Sequence, residues 1–169
     1  MFKEIVPHQF SMNPFKLLSR DWMLITAGNK DKVNTMTASW GGFGEMWGKH
    51  VAFIVVRPQR YTKEFLDRED AFSLSFFDDE YKEALSYLGT VSGRTEDKIK
   101  KAKMSVNYSS DVPFIDESRV VFFCKNLYKE AINPESFILD SIKDSWYSNE
   151  DYHVLYIAEI TRVLKKTNK

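Results

Sequence analysis

Apolar residues gather along this chain in short β-branched and aromatic runs separated by turn chemistry, a pattern that predicts strands with a few short helices between them. After an opening segment closed by Pro14, Trp22-Met23-Leu24-Ile25-Thr26-Ala27 reads as a compact strand and Gly28-Asn29-Lys30-Asp31 as its turn. The chain returns through Asn34-Thr35-Met36-Thr37-Ala38-Ser39-Trp40-Gly41-Gly42-Phe43-Gly44, a second hairpin strand that ends at the glycines. His50 to Val56 is apolar nearly throughout, which predicts a central strand buried on both faces and stopped by Arg57-Pro58. Ala71 to Phe77 alternates bulky apolar residues with Ser73 and Ser75, so one face is expected in the core and the serine face lined for something polar. Val120 to Ala131 predicts another strand, interrupted near Lys125-Asn126. Tyr152 to Ile160 predicts the last strand, followed by a basic tail from Arg162 to Lys169.

Helical signals lie between these runs. Thr62 suits the N-cap of a helix through Lys63-Glu64-Phe65-Leu66-Asp67. Tyr81, Ala84, Leu85 and Leu88 make an amphipathic stripe with Gly89 as its C-terminal cap. Thr95 reads as the N-cap of a helix containing Glu96 to Ile99, and Asn133-Pro134 opens a short one. Asn107 to Asp116 reads as loop. Helices inserted without strict strand–helix alternation predict a mainly β fold, an antiparallel barrel with helical excursions. Residues 1–169 suit a single domain with one core.

Charge narrows the function. Lysine plus arginine equals aspartate plus glutamate at 24 each, so no global field favours nucleic acid or an anionic membrane, and any anion must be bound locally. The one cysteine, Cys124, lies in an apolar run and reads as a buried thiol in a reducing compartment. The N-terminus lacks the apolar stretch of a signal peptide, and no run is long enough to span a membrane, so a cytoplasmic location is expected. Aromatics reach 15% of residues, enough that some are expected at a subunit interface or a planar ligand.

Two stretches offer candidate chemistry. Around Gly41, Gly42 and Gly44 the missing side chains bare the main chain beside Ser39 and Trp40, which suits a flat hydrogen-bonding ligand; the plainer reading is a glycine-rich hairpin loop. Arg57, Arg60 and Tyr61 precede a capped helix start, a local phosphate seat unless the arginines are solvated or pair with Asp67 or Glu69. Lys98, Lys100, Lys101 and Lys103 read as a solvated helix face from which Lys98 alone can turn inward. His8, His50 and His153 are too scattered for a zinc site, so no metal is expected, and no nucleophile or carboxylate pair stands out.

The blocks Trp22 to Gly28, Asn34-x-Met36-Thr37-x-Ser39-Trp40-Gly41-Gly42, Arg57-Pro58-x-Arg60-Tyr61-Thr62, Phe72 to Phe77, Leu88-Gly89-Thr90-x-Ser92-Gly93-Arg94-x-x-Asp97-Lys98 and His153-x-x-Tyr156-x-x-Glu159-Ile160 follow one another in an order that resembles the flavin reductase-like FMN-binding proteins, specifically their flavoredoxin-like branch. The resemblance implies a split β-barrel, a homodimer with FMN near the subunit interface, and redox chemistry at the flavin. It implies that Met36, Thr37, Ala38, Ser39 and Trp40 run beside the isoalloxazine, and that Arg57, Arg60, Tyr61, Thr62 and Lys98 hold the phosphate. Ser75 and Gly93 become wall positions. His153 falls on the nicotinamide side, its other reading being a surface histidine on an edge strand. NADH or NADPH would supply hydride, with free flavin or a small-molecule or protein acceptor downstream; the alternative is a non-catalytic electron-transfer flavoprotein reduced by a redox partner protein.

Overall fold

The computed structural model describes residues 1–167; Asn168 and Lys169, the end of the expected basic tail, lie outside the described residues. The chain opens with β1 (Phe2–Ile5) and α1 (Pro14–Lys16), which runs on as a wide π-turn over Leu17–Asp21. Next come β2 (Met23–Gly28), β3 (Val33–Ala38), β4 (Gly41–Met46), β5 (Lys49–Val56), α2 (Tyr61–Arg68) and β6 (Ala71–Phe76). The second half holds α3 (Lys82–Thr90), α4 (Lys98–Lys101), β7 (Val106–Ser109), β8 (Val112–Ile115), β9 (Val120–Ala131), α5 (Asp140–Trp146) and β10 (Val154–Lys166). Among the described residues no helix is long and apolar enough to cross a membrane.

Every strand pairing is antiparallel, and the main sheet runs β3-β2-β6-β9-β10-β5-β4, with β1 added beside the far end of β10. Its two edge strands, β3 and β4, are neighbours in sequence, separated only by Ser39 and Trp40. Three residue steps, from Ala38 to Gly41, reach roughly 10–11 Å, so the sheet must curl until its edges nearly meet, a barrel left split between β3 and β4. The long strands β9 and β10 take up this curvature at two register shifts, Ile157/Ala158 and Ile160/Arg162. The first lies beside Asn126, where an interruption was expected.

Alternation along the strands sorts side chains between an inner and an outer core, with a third, small cluster of Phe114, Val121, Phe123 and Leu164. Inside the barrel, Ile25, Met36, Ile54, Phe72, Phe122 and Tyr156 belong to one cluster. Outside it, Leu24, Phe77, Leu85, Leu88 and Ile99 form a second one under α3 and α4. The strand buried along its whole length is therefore β2, not β5: Phe53 and Val55 are part-exposed, because α2 packs on β2 and β3 and α3 packs on β3. Cys124 is fully buried in the inner cluster, and burial pushes its thiol up, so it remains a protonated core residue.

Several local expectations are corrected by pairing partners distant in the chain. The glycines at 41, 42 and 44 do not form a loop; they belong to β4, joined to β5 by the two-residue turn Trp47-Gly48 with φ of 55° and 68°. Glycine weakens the local strand signal, and the hydrogen bonds to β5 restore it. Asn107 to Asp116 is likewise the hairpin β7-β8, turning at Ser110-Asp111 with φ of 48° and 65°. The hairpin covers the serine face of β6, where Ser73 Oγ donates to the Pro113 carbonyl at 2.6 Å. The last strand continues into the expected tail as far as Lys166, because β1 and β9 flank it.

The caps shift too. Helix α2 begins at Tyr61 with Arg60 at its N-cap, and α4 is capped by Asp97, which accepts from the Lys100 amide at 3.2 Å, rather than by Thr95. Gly89 sits inside α3, where a Cβ would lie 3.2 Å from Thr37 Cβ; its role is close approach of helix to strand, not capping. Helix α5 has no counterpart in the sequence reading, since Ile142 and Trp146 stay exposed. Asn133 caps its short turn as expected, accepting from the Glu135 amide at 3.0 Å.

Gly41 is the position least able to carry a side chain: its φ is 151° and a Cβ would overlap the Phe53 carbonyl. Gly41→Ala is expected to lower stability by about 1–3 kcal/mol. Gly42→Ala, whose Cβ would meet only Phe53 Cδ2 at 3.9 Å, is expected to stay within about 0.5 kcal/mol. Equilibrium denaturation of both variants checks the contrast.

Candidate functional site

Because β3 pairs only with β2, its other edge carries backbone groups that no strand satisfies. The cleft opens along that edge. Met36, Thr37, Ala38, Ser39 and Trp40 line one wall of a hollow of about 340 Å³, faced by Val55, Arg57, Gln59, Arg60 and His153. Met36 is buried at the floor, and the Thr37 hydroxyl donates to the Leu85 carbonyl, bracing β3 against α3. Ser39 lies half-buried in the wall.

A second chamber of about 150 Å³ adjoins the first, and both share Met36, Gln59 and Arg60. The N-terminus of α2 contributes Tyr61 and Thr62, whose amides precede the first intrahelical acceptor. Opposite them are the loop from Thr90 to Gly93 and Lys98. Thr62 is fully buried and accepts from Asn34 Nδ2 at 2.8 Å. A Cβ on Gly93 would overlap Asn34 Oδ1, so a larger residue there must displace the Asn34 side chain from its bond to Thr62. Tyr61 is flanked by the Arg94 guanidinium at 4.5 Å and the Lys32 ammonium at 5.3 Å.

This chamber is strongly cationic. Arg60 Nη1 donates to the Gly89 carbonyl at 2.8 Å, and Lys98 Nζ donates to the Leu88 and Val91 carbonyls at 2.9 Å each. Lys98 is only 4% exposed. Among the described residues neither cation pairs with a carboxylate. Burial and then the nearby Arg60 lower Lys98 to about 8, while burial and then Arg57 lower Arg60. Two half-desolvated cations that rest only on carbonyl dipoles are stabilised by an incoming anion.

The open end of the larger chamber is roofed by aromatics. The Trp40 and His153 rings lie 5.0 Å apart, and Trp146 meets Trp40 edge-on at 4.8 Å. His153 Nδ1 shares a hydrogen bond with the Tyr147 hydroxyl at 2.9 Å. Burial, reinforced by Arg57, lowers His153 to about 4, so the imidazole is neutral at neutral pH.

Two placements differ from expectation. Arg57 lies in the larger chamber and not in the cationic one: it pairs with Asp151, and its Nη2 donates to the Trp146 carbonyl at 2.9 Å. Ser75 is fully buried in β6 between β2 and β9 and lines neither chamber. His153 is not a surface histidine, being 8% exposed. The remaining candidates, Met36 to Trp40, Arg60, Tyr61, Thr62, Gly93 and Lys98, border the joined chambers. Sequence reasoning passed over Asn34, Gln59 and Ser92, although all three sit inside the quoted blocks. It also passed over Trp146, for which no local signal exists.

A family model described as the flavin reductase like domain matches residues 15–169. No curated protein matches the chain. Among solved structures, the FMN-binding domain of a flavin reductases-like enzyme from Shewanella baltica OS155 superposes with a TM-score of 0.71 at 15% identity, covering 98% of this chain and 77% of its own. An FMN-binding protein from Thermus thermophilus gives 0.68 at 19% identity, with 97% and 79% covered. A flavoredoxin from Methanosarcina acetivorans gives 0.67 at 20% identity, with 86% and 68% covered. These likenesses establish a shared split-barrel architecture.

The depressed pKa of His153 has a sign that can be measured. The unfolded chain takes up this proton near the ordinary histidine value of 6.5, whereas the folded protein resists it down to about 4. Stability is therefore expected to fall as pH drops through that window. In His153→Gln the thermal midpoint should decline less steeply over the same interval.

Proposed function

The chain belongs to the flavin reductase like domain family, and on that premise we propose that it is an FMN-dependent oxidoreductase. It takes hydride from NADH or NADPH and passes electrons to free flavin or to a small-molecule or protein acceptor. The observation that carries this reading is the pair of joined chambers, one walled by a bare strand edge and the other holding the buried Lys98 and the half-buried Arg60, neither with a carboxylate partner among the described residues. A flat ring with hydrogen-bonding edges and a phosphate at the end of a short chain matches that arrangement.

In this reading the β3 edge from Met36 to Trp40 donates amides to the pyrimidine side of the isoalloxazine, joined by the Ser39 hydroxyl. Arg60, Lys98 and the first-turn amides at Tyr61 and Thr62 hold the phosphate. Bound FMN supplies the acceptance and release of hydride or electrons at its ring. The protein's share is to orient the ring, exclude water and set the local field. His153, neutral and fixed by Tyr147, borders the ring without serving as a proton donor. The names of the Thermus thermophilus and Shewanella baltica proteins of the same fold support FMN as the ligand.

A second reading is favoured by the roof over His153. Trp40 and Trp146 fill the flank on which a nicotinamide would stack, while Trp146 remains 52% exposed. A non-catalytic electron-transfer flavoprotein, reduced by a partner protein through that aromatic surface, needs no nicotinamide berth. The exposed residues Ile138, Leu139 and Ile142 precede Trp146 in the chain, and we assign these three to the homodimer contact expected beside the flavin.

Arg60→Ala is expected to weaken FMN binding by roughly 1.5–3 kcal/mol, the cost of losing a charge-assisted hydrogen bond; an unchanged affinity in fluorescence titration would remove Arg60 from the site. Anaerobic mixing of the FMN-loaded protein with NADH or NADPH should bleach the flavin absorption within seconds. A spectrum unaltered by either donor would favour electron transfer from a protein partner.

A further inference from the structure

Both cations of the phosphate chamber rest on the same short piece of backbone. The Leu88, Gly89 and Val91 carbonyls that accept from Lys98 and Arg60 lie at the C-terminal end of α3, where the aligned peptide dipoles leave partial negative charge. A lysine this deeply buried ordinarily finds a carboxylate. Here three nearby carboxylates are committed elsewhere: Glu64 holds Arg94, Glu96 holds Lys101, and Asp97 caps α4. The other charged or titratable groups around Lys98 are Arg60 and Tyr61 from α2, and Asp31 and Lys32 across an adjoining hollow of about 420 Å³. Carbonyl dipoles can orient an ammonium group, but they do not neutralise it.

We infer that Lys98 couples flavin binding to proton uptake: its ammonium group, buried on backbone carbonyls with no carboxylate partner among the described residues, is the partner of the phosphate, and an arriving phosphate dianion holds its proton in place. The inference rests on the FMN reading of the chamber. The geometry requires a group that is buried, uncompensated and in contact with the space the phosphate would occupy, and Lys98 meets all three conditions. Its lowering from 10.5 to about 8 by burial and Arg60 agrees with a charge held at a cost. A phosphate beside it acts in the opposite direction and raises it again. Arg60 remains protonated in this range and maintains a basal affinity. Binding is thus pH-independent while Lys98 is charged in both states. Above that, affinity falls until the bound form also loses its proton.

The test is a fluorescence titration of the full chain with FMN from about pH 7.5 to about pH 9.5, where full coupling weakens binding by up to about tenfold per pH unit. Riboflavin, which has the ring and no phosphate, is titrated in parallel. Over the whole interval the dissociation constant for FMN is expected to rise at least about fivefold, and that for riboflavin to stay level. Lys98→Arg, charged throughout, should bind FMN with the rise abolished. If that variant does not fold, the contrast between FMN and riboflavin in the natural chain decides alone. An FMN dissociation constant that stays level, or one that rises equally for riboflavin or in Lys98→Arg, overturns proton coupling and leaves the FMN reading intact. Failure of FMN to bind at any pH overturns the FMN reading and the coupling with it.

Discussion

β3 and β4 end the sheet on opposite sides yet are joined through two residues, so the curl of the sheet ends in a seam whose strands do not bond to each other. Backbone N–H and C=O groups left along the β3 side need partners. Helix α3 braces one stretch through Thr37, and the remainder faces the cleft. The bare main chain that the glycines suggested is thus supplied by an edge strand, while the glycines lie in the strand across the seam. Gly41 is needed there because β4 passes tightly along β5. The opening in the barrel and the hydrogen-bonding wall of the site have one cause.

Helix α3 links the two ends of the cleft. Its Leu85 carbonyl and Gly89 hold it against Thr37 at the ring end, and the carbonyls of its last turn carry Arg60 and Lys98 at the phosphate end. Holding cations in a half-buried chamber is unfavourable by itself: burial and then Arg60 lower Lys98, and burial and then Arg57 lower Arg60. The helix terminus offsets part of it with partial negative charge. A doubly charged phosphate would offset more, as the proposed function requires of this chamber.

The aromatic roof is held as one packed unit. Trp40, His153, Tyr147 and Trp146 form a continuous contact, and Arg57 ties it down through Asp151 and the Trp146 carbonyl. An arginine suited by sequence to phosphate thereby serves as a clamp on the segment that carries Trp146. Under the proposed oxidoreductase reading a hydride donor would have to displace or share this roof, whereas a protein partner would not.

The strands from Met23 to Gly28, Val33 to Ala38, Val120 to Ala131 and the first part of β10 were legible because alternation and β-branching are local properties. So were the cap at Asn133, the core placement of Cys124 and the inward turn of Lys98. The hairpin β7-β8 and strand β4 were not, since glycine and polar residues there become strand only through their partners. Arg57 could not be assigned from its own neighbourhood, because its clamp lies 89 residues further along the chain. Ser75 had the correct alternation but a face sealed by its surroundings. What the sequence determined by itself was which segments extend, which chemistry they carry and the order of motifs that marks the family. Only the tertiary structure decided which strand edge stays unpaired and which cation is buried without a counter-charge, because both depend on groups that folding alone brings together.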